Sequence, residues 1–309
     1  MKLGFGVDLG GTTVKLGAFS LEGKMLSRWE IPTVTKDDGC RILPDIADSV
    51  LGYCKEKGIS KENVIGLGIG IPGAVDSAGV AAACDNLGWG RIDVVRQLHS
   101  LTGFSVKAAN DANVAALGEA WKGSGCDNMV FITLGTGVGG GIIIDGKPLT
   151  GKTGAAGEIG HMVLNCKETK LCNCGKYGCV EQYCSATGIA RMASDYLAQN
   201  ACDSPLRRLE KITAKDVFDA ANADDQAAKT VLEQVYAYMG EFIANICIVI
   251  NPQQVVIGGG VSKAGEPLLA GIRRHFDKYV YHASRDVEFR LATLGNDAGV
   301  YGAFKLLFQ

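Results

Sequence analysis

Two short segments within residues 157–181 carry six side chains able to hold a metal or a substrate. The segments G-E-I-G-H-M (157–162) and L-C-N-C-G-K-Y-G-C-V-E (171–181) supply two carboxylates (Glu158, Glu181), an imidazole (His161) and three thiols (Cys172, Cys174, Cys179). Three soft thiolates and one imidazole suit tetrahedral Zn²⁺. Gly175 and Gly178 give the backbone the turns that bring sulfurs to about 2.3 Å from a metal. Four protein ligands leave no open position, so such a centre is structural, and it would orient Glu158 and Glu181. Cys166 and Cys184 are rival ligands. A redox Cys-x-Cys couple or free thiols compete with this reading; His161 and the third cysteine favour the metal.

A second chemistry lies at the N-terminus, in G-V-D-L-G-G-T-T-V-K-L-G. An apolar strand ends near Asp8, Gly10 and Gly11 turn the chain, and Val14 to Phe19 form a return strand. Glycines let a backbone approach a phosphate closely, Thr12 and Thr13 add hydroxyl donors, and Asp8 is placed to hold hydrated Mg²⁺. The same order recurs in V-F-I-T-L-G-T-G-V-G-G-G-I-I-I-D-G-K: Leu9-Gly10 matches Leu134-Gly135, and Glu22-Gly23-Lys24 matches Asp145-Gly146-Lys147. The echo implies a duplicated fold whose two phosphate loops serve one nucleotide. Neither loop is a P-loop. Gly135-x-Gly137-x-x-Gly140 has dinucleotide spacing, but a strand follows it rather than a helix.

The remaining elements must place these loops. Helical periodicity predicts helices over 41–57, 92–101, 114–121, 185–199, 213–222, 224–250, 268–279 and 298–308. Apolar runs predict strands over 64–71, 106–108, 255–257 and 287–292. Alternating strands and helices argue the α/β class. Asn86 to Trp89 reads as a loop. Asn110 and Asp111 fall where a strand ends and a helix begins, the edge at which open α/β sheets bind ligands; position alone favours Asp111 as a helix N-cap. Gly258, Gly259 and Gly260 close a buried strand and suggest close contact with a flat ligand or a phosphate.

The 309 residues carry a net charge of −2, with 47% hydrophobic and 21% charged residues. That balance suits a globular chain and offers no basic footprint for nucleic acid or an anionic membrane. After Lys2 the apolar run stops at Asp8, so no signal peptide is expected, and Phe242 to Ile250 is too short to span a bilayer. A cytoplasmic protein is the reading, its eleven cysteines reduced. Cys40, Cys54, Cys84, Cys202 and Cys247 read as small buried hydrophobes.

Together D-L-G-G-T-x-x-K (8–15), G-I-P-G (70–73), N-D-A-N (110–113), L-G-T-G-V-G-G-G, G-E-I-G-H and C-x-C-G-x-x-G-C-x-E resemble the ROK sugar kinases of the actin-like ATPase superfamily, over essentially the whole chain. The resemblance implies a duplicated bilobal fold of ribonuclease-H-like topology. The expected lobes are 1–118, completed by 298–309, and 119–297 with the zinc loop, with ATP in the cleft. It implies transfer of the ATP γ-phosphoryl to the 6-hydroxyl of a hexose, foremost glucose, with Mg²⁺ as cofactor. Asp111 becomes the catalytic base, and Asn86, Asn110, Asp111, Glu158, His161 and Glu181 contact sugar. Asp8, Gly10, Gly11, Thr12, Thr13, Lys15, Gly135, Thr136, Gly137, Gly258, Gly259 and Gly260 serve the nucleotide. His161, Cys172, Cys174 and Cys179 hold zinc, and His161 also reaches the sugar. Asp85 stands where the family often has proline before the Asn86 loop. A homodimer is implied. Kinases of N-acetylmannosamine, fructose or allose share these contacts. Family repressors, the non-enzymatic alternative, carry an N-terminal helix-turn-helix for which the stretch before Asp8 has no room.

Overall fold

The computed structural model describes residues 2–309, the side chain of Asp85 excepted. One five-stranded sheet comprises β1 (Leu3–Leu9), β2 (Thr13–Ser20), β3 (Met25–Pro32), β4 (Val64–Ile71) and β5 (Val106–Asn110), in the order β3-β2-β1-β4-β5. β1 to β3 form an antiparallel meander, and β4 and β5 add in parallel. The other comprises β6 (Met129–Leu134), β7 (Val138–Ile144), β8 (Lys147–Pro148), β9 (Gln254–Gly258) and β10 (Glu288–Leu291), in the order β8-β7-β6-β9-β10, with β9 and β10 parallel to their neighbours. The strand order repeats, so the expected duplication is present at the level of whole sheets.

The helices are α1 (Ile42–Glu56), α2 (Val94–Thr102), α3 (Asp111–Gly118), α4 (Glu181–Cys184), α5 (Ala186–Gln199), α6 (Ala214–Asn222), α7 (Gln226–Ile250), α8 (Glu266–Tyr279) and α9 (Ala298–Lys305). Several begin later than expected because a polar residue caps them. Ser185, Thr213 and Asp225 accept from backbone N–H groups of α5, α6 and α7. The helix expected from Ile92 begins at Val94, since Ile92–Asp93 pairs with Val80–Ala81 and Asp93 caps α2. Several elements escaped the periodicity: β3, whose residues alternate with Arg28 and Glu30, the short α4, and the two-residue strands Val80–Ala81 and β8.

Two compact units emerge, Met1–Asn128 with Gly141–Gly157 and Thr293–Gln309, and Met129–Gly140 with Glu158–Ala292. These limits differ from the expected 1–118 and 119–297. Residues 141–157 pack with the first unit: Gly141 lies against Ala116 and Ala112 of α3, and Gly154 against the Val75 backbone.

In the first unit, β1 and β4 present two unlike faces. Leu3, Phe5, Val7, Leu67, Ile69 and Ile71 are buried in one core with Ile42, Ile46 and Val50 of α1. The alternate residues are mostly glycines: α9 lies on Gly4, Gly6 and Gly68, and Val114 of α3 lies on Gly70. A Cβ on Gly6 would stand 2.1 Å from the Val300 carbonyl, and one on Gly68 1.8 Å from the Ala303 carbonyl. Gly68 and Gly70 of V-I-G-L-G-I-G-I thus serve helix packing, whereas Gly66 abuts the Ser105 carbonyl. In the second unit, β9 is wholly buried and α7 packs on α8, where Gly240 touches His275 and Phe276. No helix among the described residues is long and apolar enough to cross a membrane.

Candidate active site

In the first unit the β1–β2 turn is held by its own inner bond and by Thr33, the residue after β3. Gly10 N–H donates to the Thr13 carbonyl at 3.1 Å, Thr33 N–H to the Thr12 carbonyl at 2.9 Å, and Thr33 Oγ1 to the Gly10 carbonyl at 2.7 Å. The carbonyls of Gly10, Thr12 and Thr13 are thereby engaged, while Gly11 is exposed, and a Cβ there would meet no protein atom within 4 Å. Asp8 precedes this turn. Burial raises its pKa, only partly offset by Lys15, whose Nζ is 3.5 Å from Oδ2. Gly299 of α9 makes its room: a Cβ there would fall 2.6 Å from the Asp8 Cγ. A half-buried carboxylate with one weakly placed lysine beside it is a fitting ligand for a hydrated divalent cation.

At the end of β5 the expected N-cap moves by one residue. Asn110 (φ −60°, ψ 145°) is the cap and accepts from Asn113 N–H at 3.0 Å, whereas Asp111 is the first helical residue of α3. The cap must have non-helical backbone, and only Asn110 does. Asn110 Nδ2 donates to Asp111 Oδ1 and to the Gly73 carbonyl, each at 3.0 Å, and Ala112 N–H donates to the same Asp111 oxygen at 2.8 Å. Asn86 is exposed on the short turn Asp85–Leu87, anchored by buried Leu87 and Trp89.

In the second unit the zinc-type cluster assembles as the spacing implied. Ligand atoms of His161, Cys172, Cys174 and Cys179 all lie within 4.8 Å of one another. Cys174 Sγ is 3.6 Å from Cys179 Sγ, and Cys172 Sγ is 3.9 Å from His161 Nδ1. Sulfurs about 2.3 Å from a tetrahedral centre stand about 3.8 Å apart, so the donor set fits zinc. Cys166 is exposed and outside the cluster; Cys184 is buried elsewhere, its pKa pushed up by desolvation. Cys54, Cys84 and Cys247 are buried as expected, but Cys40 is exposed and Cys202 half-buried.

Glu158 is exposed just before the turn Ile159–His161, and its carbonyl accepts from His161 N–H at 3.1 Å. Glu181 opens α4. Its Oε2 accepts from Val138 N–H at 3.0 Å, and Cys172 Sγ is 3.9 Å from Oε1. The β6–β7 turn is tied to α5 as well, through Ala186 N–H to the Gly135 carbonyl (2.8 Å) and Thr187 Oγ1 to the Thr136 carbonyl (2.7 Å). Its inner bond, Gly135 N–H to the Gly137 carbonyl at 3.0 Å, spans one residue fewer than its counterpart at Gly10.

The triple glycine after β9 splits by cause. Gly258 fits against Phe131 and Ala292; Gly259 has φ +84° and abuts the Leu134 backbone; a Cβ on Gly260 would meet nothing within 4 Å. Thr33, Val138, Thr187 and Gly299 were not identified from sequence. Their contributions are backbone bonds or empty space at distant positions, which carry no local signature.

Two like sheets with glycine turns between the first strands define an actin-like α/β fold, here with a Cys₃His loop. The chain belongs to the ROK family, which it matches over residues 4–309. It is 45% identical to a glucokinase of Halalkalibacterium halodurans, over 98% of this chain and 94% of that protein. It is 34% identical to a glucokinase of Thermotoga maritima, over 98% and 96%. Among solved structures it resembles a ROK family glucokinase from Streptomyces griseus in complex with glucose and AMPPNP, with TM-score 0.77, 31% identity and 98% of each chain covered.

Proposed function

We infer that this protein is a sugar kinase that transfers the γ-phosphoryl group of ATP to the 6-hydroxyl of glucose. The observation that carries the reading is 45% identity, over nearly the full length, to a protein named glucokinase. In this reading Asp111 accepts the hydroxyl proton as the sugar oxygen attacks phosphorus. Its carboxylate is steadied by Asn110 and Ala112 N–H. Glu158, Glu181, His161, Asn110 and Asn86 bind ring hydroxyls and hold the 6-hydroxyl in line. Gly11, Gly135 and Gly260, around which no protein atom fills the space of a methyl, let the backbone approach phosphate, with Gly10, Thr12, Thr13, Thr136, Gly258 and Gly259 shaping the same turns. Phosphoryl transfer rests on positioning and on charge neutralisation. Mg²⁺ held by Asp8 supplies part of that charge when bound, and Lys15 holds Asp8 in place. Zinc on His161, Cys172, Cys174 and Cys179 is structural and fixes the loop that carries Glu181. A homodimer acting in the cytoplasm belongs to the same proposal.

A panel of sugars assayed by coupled ADP release tests it. Glucose is expected to give the highest kcat/KM with ATP as donor. A higher value for N-acetylmannosamine, fructose or allose would replace glucose as the substrate.

A further inference from the structure

We propose that Gly137 serves the sugar rather than the nucleotide: it provides the space in which Val138 N–H holds the Glu181 carboxylate. The three atoms nearest a Cβ at Gly137 all belong to Glu181, with Oε2 at 2.2 Å, Cδ at 3.1 Å and Cγ at 3.8 Å. Backbone conformation does not demand glycine here, since Gly137 is absent from the residues with positive φ. Gly135, two residues earlier in the same turn, has no protein atom within 4 Å of its Cβ position. The two glycines of G-T-G therefore have different reasons. One leaves space open and the other leaves space for a carboxylate.

The bond from Val138 N–H to Oε2, at 3.0 Å, is one of three that join residues 135–138 to residues 181–187. The others run from Ala186 N–H to the Gly135 carbonyl and from Thr187 Oγ1 to the Thr136 carbonyl. Glu181 is thus oriented by the turn itself, with Oε2 fixed and Oε1 on the side of Cys172. A methyl at 137 would displace the end of this side chain and leave the strands where they are, because a carboxylate on two methylenes yields before backbone does. Gly137 is a positioning residue acting through Glu181.

The inference rests on the reading of Glu181 as a sugar contact, and the experiment separates the two. Gly137→Ala, Glu181→Ala and the double variant are compared by KM for glucose, KM for ATP, zinc content and thermal midpoint. Gly137→Ala is expected to raise KM for glucose at least about tenfold and KM for ATP less than about threefold, with zinc retained. In the Glu181→Ala background it should add nothing, since the two changes act on one contact. A rise in KM for ATP with glucose unaffected assigns Gly137 to phosphate and overturns the proposal, as does full additivity. An unchanged glucose KM in Glu181→Ala removes the sugar role of Glu181 itself. Should Gly137→Ala not fold, Glu181→Asp draws the carboxylate back from Val138. Its glucose KM should rise with ATP unaffected, and no change overturns the proposal.

Discussion

The Asn110 side chain reaches Asp111 Oδ1 at 3.0 Å while its own carbonyl oxygen caps α3 through Asn113 N–H. One amide thus fixes both the start of the helix and the orientation of the carboxylate that begins it. Asp111→Ala is expected to lower kcat at least about 10²-fold, with glucose binding partly retained. Asn110→Ala should lower kcat as well and cost about 1 kcal/mol of stability through loss of the cap. Steady-state kinetics and urea unfolding measure the pair. Near-normal turnover in Asp111→Ala would remove it from the base role.

The donor set, the glycine turns and the Asn-Asp pair are local patterns, and all were legible in the sequence. The choice between Asn110 and Asp111 as cap was not, because it depends on which of two adjacent residues takes the extended backbone, ψ 145° at Asn110. β3 was hidden because its outward residues, Arg28 and Glu30, pair with each other rather than form an apolar run. The glycines of β1 and β4 were visible, but the reason for Gly6 and Gly68 lies in α9 at the other end of the chain, and for Gly70 in Val114 of α3. Asp8 and Gly299 meet for the same tertiary reason.

Zinc can be tested without turnover. The wild-type chain is expected to carry close to one zinc by elemental analysis, and Cys174→Ser little. Because structural zinc loops gain on the order of 10 kcal/mol from the metal, the variant should also melt several degrees lower. Chelation of the wild type should reproduce that shift. Protein purified without zinc and unaffected by chelators would refute the centre.

Adjacent glycines after β9 should respond differently to one added methyl. Gly260→Ala meets no protein atom within 4 Å and lies outside the positive-φ residues, so its stability should change by less than about 0.5 kcal/mol. Its KM for ATP should rise. Gly259→Ala, at φ +84° and 2.5 Å from the Leu134 carbonyl, should cost about 1–3 kcal/mol. Denaturant midpoints and ATP titrations distinguish them, and a Gly260→Ala enzyme with unaltered ATP kinetics would take Gly260 out of the nucleotide site.

Glu168 gives the cysteine loop a pH-dependent anchor. Its side chain is 11% exposed and receives Tyr183 Oη at 2.7 Å, Thr169 and Lys170 N–H at 2.9 Å each, and the Arg191 guanidinium at 3.3 Å. Burial raises its pKa, but these donors outweigh burial and bring it from 4.5 to about 2. The folded pKa is thus below the unfolded one. Between the two values the unfolded chain binds a proton that the folded chain does not, so stability falls as pH falls from about 5 toward 2 and is fully present above that window. Glu168→Gln keeps an acceptor but not the charge. Its thermal midpoint should lie below that of the wild type at neutral pH, and the gap should close as pH falls through the window, with zinc content followed in both proteins. A gap that stays constant across that range would show that the ionised carboxylate contributes nothing to holding the loop.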